Sequence, residues 1–512
     1  MKKIATVLAA LGMSLLGPGA VAETPLVYEA STSGSVGSGD FAPYYMMSNN
    51  GGVLTQPKSF TLRAKAYKDL SLSERFSFSF GVDALGGYQS EYTQYDLADY
   101  PIAGQGKHPS AVLLQQLYGE VKYRSLFLSL GMKERSSALF NSRLGSGDFI
   151  ESNNARPIPQ LRAGFVDFQD FPGTKGWLQI QGELSFGKMV ENGWYDEHFS
   201  FRDGGVNLGK YYHYRRLYLR SNPDKPLSVT VGMQQTTQYG GVTRTYKDGK
   251  IIKEDAVDMN LKNFFRPLLP IGGEEAEGNE GFCYGNTIGS WDLVARYRFA
   301  DDTQLKAYFQ WPFEDGSGIA KCNGFDGIWG LEYNNPNKKG IVAEAVIEYI
   351  DFTNQSGPIH WAPQFFDGPG MDGQATGNDN YYDNFRTFAY SNFGMSIGSP
   401  FISSTIYNRS GSNNIYDSRV RGVHLGASGF VLPSLEYRVL FSYRRSWGSY
   451  NLPRLELGEN TSFMIEGAYH FPKIEGLSVK GQVAMDKGNM FGDNFGVLLA
   501  LSYQGFLNVF GK

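Results

Sequence analysis

Phe76-Ser77-Phe78-Ser79-Phe80-Gly81-Val82-Asp83-Ala84 is the stretch that decides the fold, because apolar side chains alternate in it with small or polar ones. Successive side chains of a β-strand point to opposite faces. One face of this segment is therefore apolar, and the other carries serine, glycine and aspartate. A strand of this kind is typical of a sheet that has lipid on one side and water on the other.

The same alternation recurs from one end of the chain to the other. Near the C-terminus, the residues at alternate positions are Phe495, Val497, Leu499, Leu501 and Tyr503. A first strand is predicted at Leu26–Gly34, and further segments begin near Ser59, Leu126, Leu178, Tyr212, Leu227, Ile288, Thr303, Gly340, Arg419, Leu435, Ser462 and Leu477. The pattern predicts an all-β protein with many antiparallel strands.

Short and long connections follow each other in turn along the chain. Arg124-Ser125, Asp301-Asp302 and Pro433-Ser434 are tight turns, whereas 238–287 and 350–418 are long stretches. Outer-membrane barrels have short periplasmic turns, long outside loops and an even number of strands. The spacing therefore predicts a transmembrane outer-membrane β-barrel of about 18 antiparallel strands. In this topology 350–418 is one very large outside loop, with strands of its own around Phe401–Tyr407.

The N-terminus has the features of an export signal. Lys2 and Lys3 precede an apolar stretch from Ile4 to Leu16, and Ala20-Val21-Ala22 gives the small-x-small pattern that signal peptidase accepts. We expect residues 1–22 to be a signal peptide and 23–512 to be a single barrel domain in the Gram-negative outer membrane.

Composition narrows the possible functions. The chain has 63 Gly, 32 Tyr and 36 Phe but 6 His and 2 Cys, and its net charge of −4 argues against a nucleic-acid partner. The sequence has no His/Cys cluster with metal-ligand spacing, no Gly-x-Ser-x-Gly motif and no nucleotide-binding loop. It therefore predicts a non-enzymatic protein without a cofactor or a bound metal.

Several motifs together resemble the capsule assembly (Wzi) family, in the form common among Bacteroidetes. They are Gln116-Leu117-Tyr118, Asn154-Ala155-Arg156-Pro157-Ile158-Pro159-Gln160, Pro172-Gly173-Thr174-Lys175-Gly176-Trp177, Gln355-Ser356-Gly357-Pro358, Asn380-Tyr381-Tyr382 and Ser446-Trp447-Gly448. The resemblance runs from about Phe41 to about Gly496. It implies an 18-stranded, lectin-like barrel that helps retain or assemble capsular polysaccharide at the cell surface, with outer-membrane lipid around it.

The chain departs from the family pattern before the barrel. Better-known members have a helical bundle there that plugs the periplasmic mouth. Here the segment 23–58 has the pattern of a strand and a loop, so we do not expect that plug.

Seven residues are candidates for glycan contacts. Aromatic rings stack on sugar rings, and Asn or Arg side chains bond the hydroxyl groups. The candidates are Asn154, Arg156, Trp361, Tyr381, Tyr382, Trp447 and Tyr450. For Asn154 and Arg156 the alternative is a loop anchor at the barrel mouth. For the aromatic residues the alternative is an interfacial belt or packing within the loops.

The two cysteines are expected to form a disulfide. Cys283 and Cys322 flank the hairpin that turns at Asp301-Asp302, so both lie at the outside ends of adjacent strands. Neighbouring strands are close enough for a disulfide, and an exported protein meets oxidising conditions. The alternative is two buried free thiols.

Three functions remain open. The leading hypothesis is a surface protein that binds capsular or other extracellular polysaccharide. The second is a porin-like diffusion channel for small solutes, which would differ in having an open lumen. The third is an outer-membrane enzyme, which would need a catalytic constellation that the sequence does not show.

Overall fold

The computed structural model describes residues 24–94, 105–199, 203–256, 259–268, 285–314, 316–319, 321–358, 360–361, 375–408 and 410–507. The predicted signal peptide, residues 1–22, lies outside this part of the chain. Among the described residues, no helix is long and apolar enough to cross a membrane.

Eighteen strands of the described chain form one closed antiparallel barrel. They are β1 (Leu26–Ser38), β2 (Ser59–Lys68), β3 (Phe76–Gln89), β4 (Val112–Tyr123), β5 (Leu126–Met132), β6 (Gln160–Phe165, resumed at Gln169–Asp170), β7 (Leu178–Lys188), β8 (Tyr211–Ser221), β9 (Leu227–Tyr239), β10 (Asn286–Arg298), β11 (Gln304–Phe313), β12 (Gly327–Asn334), β13 (Glu344–Asp351), β14 (Val420–Leu432), β15 (Leu435–Gly448), β16 (Pro453–His470), β17 (Leu477–Gly488) and β18 (Phe495–Leu507). Each strand pairs with its neighbours in sequence, and β1 pairs with β18 to close the sheet. The predicted fold and strand number are confirmed.

The two faces of the strands are as the alternation predicts. On β3, Val82 is 41% exposed on the outer face, whereas Ser77 and Asp83 face inward and are buried. On β18, Leu499 and Leu501 are likewise exposed. Because a closed sheet satisfies its own backbone hydrogen bonds, an apolar outer face of this kind is suited to lipid.

Three strand boundaries differ from the prediction. The first strand continues to Ser38 because it stays paired with β18 throughout. The strand predicted near Gly340 begins at Glu344, since the turn before it is closed by a bond from Asn335 N to Ala343 O of 2.8 Å. The strand predicted near Ser462 begins at Pro453, because β15 and β16 continue their hairpin beyond the predicted limit.

The barrel has a turn end and a loop end. Short connections such as Arg124-Ser125 lie at the turn end, where Arg124 and Asp302 adopt the left-handed conformation with φ of 55° and 64°. The long connections meet at the loop end, and the largest are 133–159, 240–285 and 352–419. The predicted alternation of short and long connections is thus present.

The wall is not equally tall all round. The β5–β6 ladder is six residues long, from Leu126 opposite Phe165 to Gly131 opposite Gln160. The β1–β18 ladder is thirteen residues long. We call the short ladder the seam.

The connections contain short elements of their own. The helices are α1 (Tyr44–Met47), α2 (Asn192–Phe199), α3 (Leu261–Phe265) and α4 (Gly316–Ile319), with 3₁₀ turns at Arg266–Leu268 and Thr405–Tyr407. The strands predicted around Phe401–Tyr407 were wrong, because this segment is a buried irregular chain that ends in a 3₁₀ turn. In the described part of segment 23–58, α1 is a single turn, and there is no helical bundle.

Two of the long connections fill the barrel. Leu144, Phe149 and Ile150 from one, and Phe401 and Ile402 from the other, have 0% exposed area and belong to one core cluster with inward-facing wall residues. The expectation that 350–418 is an outside loop was therefore wrong for much of its length. We call residues 133–159 together with 375–408 and 410–419 the plug.

Candidate functional site

Polar side chains of the wall hold the first plug segment inside the lumen. The Asp148 carboxylate accepts hydrogen bonds of 3.0 Å from Gln234 on β9 and Gln310 on β11. The backbone N–H of Phe149 donates to Gln310 Oε1 at 2.6 Å, and that of Ser146 donates to Glu348 Oε2 at 2.7 Å. The wall thus offers partners for a loop backbone that is buried away from water.

This segment extends down to the turn end. Arg143 forms an ion pair of 2.5 Å with Glu436, next to the start of β15. Asn141 Nδ2 donates to Glu344, the first residue of β13, at 3.2 Å. Because both partners lie close to short turns, the segment runs along most of the height of the barrel.

A buried arginine fastens the plug to the wall. Arg162 on β6 forms ion pairs of 2.5 Å with Glu183 on β7 and with Glu151 of the plug. Arg216 on β8 forms a second pair with Glu183 at 2.9 Å. Arg162 is only 2% exposed, so its removal would leave two carboxylates without this partner.

The two plug segments also bind each other. Tyr382 Oη donates to the carbonyl of Phe149, and Tyr390 Oη donates to that of Ile150 at 2.8 Å. Asn154 Nδ2 donates to the carbonyl of Ser396 at 2.9 Å. The plug is therefore one packed unit across both connections.

A cavity of about 230 Å³ remains beside the plug. Its charged lining residues are Lys133, Glu134, Arg135, Glu151, Arg162, Glu183 and Arg216. Burial, together with the nearby charge of Arg162, lowers the pKa of Arg135 to about 10. This cavity is a charged recess within the lumen, and it is the feature that a small-solute channel would use.

The predicted residues of the Asn154–Gln160 motif lie within the plug. Asn154 is 0% exposed, and its Oδ1 accepts a bond of 3.2 Å from Asn49 N in addition to the bonds with Ser396. Arg156 lies over the ring of Phe393 at 4.1 Å, and burial lowers its pKa. Both residues connect loops, as expected from the alternative that they act as a loop anchor at the barrel mouth. The complete burial of Asn154 argues against a glycan contact there.

Tyr381 and Tyr382 are also buried. Both side chains are 0% exposed and pack against Phe149, with ring centroids 5.3 and 4.9 Å away. Burial raises the pKa of both phenols well above the ordinary value. In this arrangement they offer no surface to a polysaccharide. Their burial therefore argues against the sugar contact, which remains a prediction.

Trp447 and Tyr450 lie at the loop end, beside polar residues from two connections and from the start of β14. The guanidinium of Arg419 lies 4.0 Å from the centre of the Tyr450 ring, and that of Arg421 lies 5.7 Å from the Trp447 ring. We call this group the rim cluster; its members are Asn354, Asn378, Arg419, Arg421, Trp447, Tyr450 and Asn451.

Hydrogen bonds fix the geometry of the rim cluster. Tyr450 Oη donates to the carbonyl of Asn354 at 3.1 Å. Asn378 Nδ2 donates to Asn451 Oδ1 at 3.0 Å, at an exposed position. Two aromatic rings, two guanidinium groups and three amides are thus close together at the edge of the barrel. Sequence reasoning found the two aromatic residues and missed the others, whose one signal was the Arg-x-Arg pattern at the start of β14.

The remaining predicted residues are only partly described. The backbone of Trp361 belongs to a short pairing of His360–Trp361 with Ala375–Thr376. Cys322 is exposed beyond β11, whereas Cys283 lies outside the described residues. The disulfide and the sugar contact of Trp361 therefore remain predictions.

The fold and the apolar outer wall define a class of protein, the closed antiparallel β-barrel that spans a membrane. Within this class the chain is similar to Wzi of Escherichia coli, described as an outer-membrane protein involved in group 1 capsule assembly and as a carbohydrate-binding β-barrel. The two share 11% sequence identity over 97% of this chain and 87% of the other, with a TM-score of 0.52. The likeness is one of fold.

Two solved structures from Pseudomonas aeruginosa are also similar to the chain. OccK8 (OprE) has 10% identity over 96% of this chain and 100% of its own, with a TM-score of 0.46. OccK5 (OpdH) has 10% identity over 96% and 99%, with a TM-score of 0.45. No family model and no curated protein matches the chain.

Proposed function

We propose that this chain is an outer-membrane protein that binds capsular or other extracellular polysaccharide and helps to retain or assemble it at the cell surface, without catalysis. The observation that carries the proposal is the plug together with the rim cluster. The plug occupies the lumen, so the loop end is the face that can meet a large polymer. The rim cluster gives that face the chemistry of a sugar-binding surface.

The chemistry of the rim cluster suits a polyhydroxylated ligand. The rings of Tyr450 and Trp447 have apolar faces that match the C–H face of a sugar ring. Amide groups such as that of Asn378 both donate and accept hydrogen bonds, as hydroxyl groups require. The guanidinium groups add donors that also suit acidic sugars. The fold likeness to a carbohydrate-binding barrel supports the same function.

A diffusion channel for small solutes is the second candidate. The charged cavity of about 230 Å³ beside the plug is the observation that favours it. Planar-bilayer recordings of the purified protein separate the two candidates. We expect no steady current from a plugged barrel, and large steady currents would favour the channel.

Cell-associated polysaccharide tests the proposal directly. In a strain that lacks the gene, we expect polysaccharide to be made but released, and the wild-type gene should restore retention. The variant Tyr450→Ala should retain about fivefold less. The matched control is Tyr437→Ala at the turn end, because Tyr437 Oη likewise donates to a backbone carbonyl, that of Ile341, at 2.8 Å.

The control should restore full retention, provided that both variants reach the membrane in equal amounts. Unchanged cell-associated polysaccharide in the deletion strain would contradict the proposed function.

A further inference from the structure

The cavity of about 230 Å³ beside the plug has room for several water molecules. It lies next to the seam, because Arg162 belongs to β6 and the lining residues 133–138 directly follow β5. Ser136 and Ala138 line it and are exposed, so this part of the plug leaves space for water or a small solute. We call it the lumen cavity.

The carboxylates in and beside the lumen cavity already have cationic partners. The ion pairs are Glu151–Arg162 at 2.5 Å, Glu183–Arg162 at 2.5 Å, Glu183–Arg216 at 2.9 Å, Glu134–Arg63 at 3.3 Å and Glu120–Lys133 at 2.6 Å. None of these carboxylates therefore requires a further cation from solution.

Arg135 is the guanidinium of the lumen cavity that lacks a close carboxylate. Among the described residues, the one carboxylate within 4 Å of it is Glu120, at 3.8 Å, and Lys133 lies closer to that group. Arg135 Nη2 donates to the neutral hydroxyl of Ser129 at 3.2 Å. The side chain is 22% exposed, so its remaining N–H groups are accessible at the wall of the cavity.

The charges that line the lumen cavity leave a positive group over. Four cationic side chains face three carboxylates; they are Lys133, Arg135, Arg162 and Arg216 against Glu134, Glu151 and Glu183. Burial and the nearby charge of Arg162 lower the pKa of Arg135 to about 10, so the surroundings disfavour its charged form. An anion placed beside this guanidinium would relieve that unfavourable interaction.

We propose that the lumen cavity binds a small solute through one carboxylate group, which Arg135 holds. The planar guanidinium presents paired N–H donors that match the two oxygens of a carboxylate. The hydroxyl of Ser136, exposed in the same cavity, adds a donor. Because one cation is in excess, a single carboxylate suits the site, and the glutamates around it oppose a second one. This inference goes beyond the proposed function, since the site lies in the lumen and not in the rim cluster.

Saturation-transfer NMR on the full-length protein in detergent tests the inference. The probes are acetate, glucuronate and glucose, each titrated alone. We expect transfer to acetate or to both carboxylates, and none to glucose. Transfer to acetate alone indicates a simple organic acid as the occupant, whereas transfer to glucuronate as well shows that a sugar acid also fits.

Two variants locate the binding in the lumen cavity. Arg135→Gln removes the guanidinium and should weaken carboxylate binding at least about tenfold. Ser136→Phe leaves every charge in place but fills space, so it should weaken glucuronate more than acetate. Because Ser136 is exposed, this replacement does not disturb a packed core.

The matched control is Arg220→Gln at the turn end. Arg220 is also half-buried and also donates to a neutral side chain, Gln179 Oε1, at 3.0 Å, but it does not line the lumen cavity. It should bind carboxylates as the wild type does. Each variant is first checked for the gel shift on heating that folded barrels show, and Ser136→Phe carries the test where Arg135→Gln fails it.

Equal affinity for carboxylates in the wild type and in both cavity variants would overturn the proposed site. So would the absence of transfer to acetate and glucuronate in the wild type, or binding of glucose as strong as that of glucuronate. These outcomes leave the proposed function standing, because its own test is the retention of polysaccharide on cells.

Discussion

The plug and a second folded unit are both made from long connections at the same end of the barrel, yet they fold by different means. The second unit, which we call the surface module, consists of α2 and a sheet of three strands, Gly204–Leu208, Val242–Lys247 and Lys250–Ala256. The plug depends on the wall: Asp148 and the N–H of Phe149 bind side chains of β9 and β11, and Glu151 binds Arg162. The surface module depends on itself, since Tyr195 and Phe199 pack in a core separate from that of the barrel.

The difference shows what a long connection needs in order to become ordered. A segment inside a polar lumen can satisfy its backbone through wall side chains and can bury its apolar side chains in the core that it shares with the wall. A segment that projects from the barrel has no such wall and must bury apolar side chains of its own. The two regions therefore respond to different kinds of mutation.

The two regions meet at a buried charged joint. Glu191, just before α2, accepts a bond from the N–H of Phe393 in the plug. Lys210, just after the first module strand, donates to the carbonyl of Thr387 at 2.9 Å and to that of Ala389 at 3.3 Å. Burial raises the pKa of Glu191 and lowers that of Lys210.

The largest effect is expected from Arg162→Ala, which removes the ion pairs that fasten the plug to the wall. The variant leaves Glu151 and Glu183 without their buried partner, so we expect a loss of about 3–5 kcal/mol in the free energy of unfolding. It should also cause intermittent current through planar bilayers. Urea unfolding in lipid vesicles and bilayer recording measure the two effects.

The control for this variant is Arg445→Ala, whose ion pair with Glu459 is about half exposed on both sides. Its loss should be under about 1 kcal/mol. Equal unfolding curves for the two variants would show that Arg162 does not anchor the plug.

A smaller and more local effect is expected from Tyr195→Ala in the surface module. Tyr195 is 0% exposed, and its loss should destabilise the module by about 3 kcal/mol without changing unfolding of the barrel. Limited proteolysis should then cut between residues 240 and 256 much faster than in the wild type, while the barrel remains intact. Simultaneous loss of the barrel would show that the module is not an independent unit.

The smallest effect is a pH dependence of stability that arises at the joint between the plug and the surface module. Burial raises the pKa of Glu191 to about 7, above the ordinary 4.5, so the folded protein favours the neutral form of this carboxyl group. The stability it contributes is fully present below about pH 4.5 and is lost as the pH rises through 7. We expect the wild type to lose about 1–2 kcal/mol between pH 5 and 8 that Glu191→Gln does not lose. Parallel pH profiles for the two proteins would contradict this assignment.

The wall of the barrel could be predicted from the sequence because its signal is local. In Phe76–Ala84 every second residue faces lipid, so the period of two is present in the chain itself. The position of Trp447 and Tyr450 at the loop end followed from counting strands. The strand boundary near Ser462 was less accurate because that hairpin extends beyond the predicted limit, and the one near Gly340 because the turn before the strand continues to Ala343.

The interior of the barrel could not be predicted in the same way. A serine- and asparagine-rich segment such as 396–418 has the composition of a solvent-exposed loop, and only the inward side chains of the wall make it a plug. The joint between Glu191 and Phe393 is a stronger example, because these two residues lie far apart in sequence. No local pattern in the chain indicates that they are in contact.

The seam between β5 and β6 has a consequence for the surrounding lipid. Six residues of strand span about 20 Å, and less when tilted, whereas the apolar band of such barrels is about 25 Å tall. Acyl chains beside the seam have to shorten or tilt, at a modest cost for each ångström of mismatch. The wall is thus thinnest at the seam, which favours short-chain lipids there.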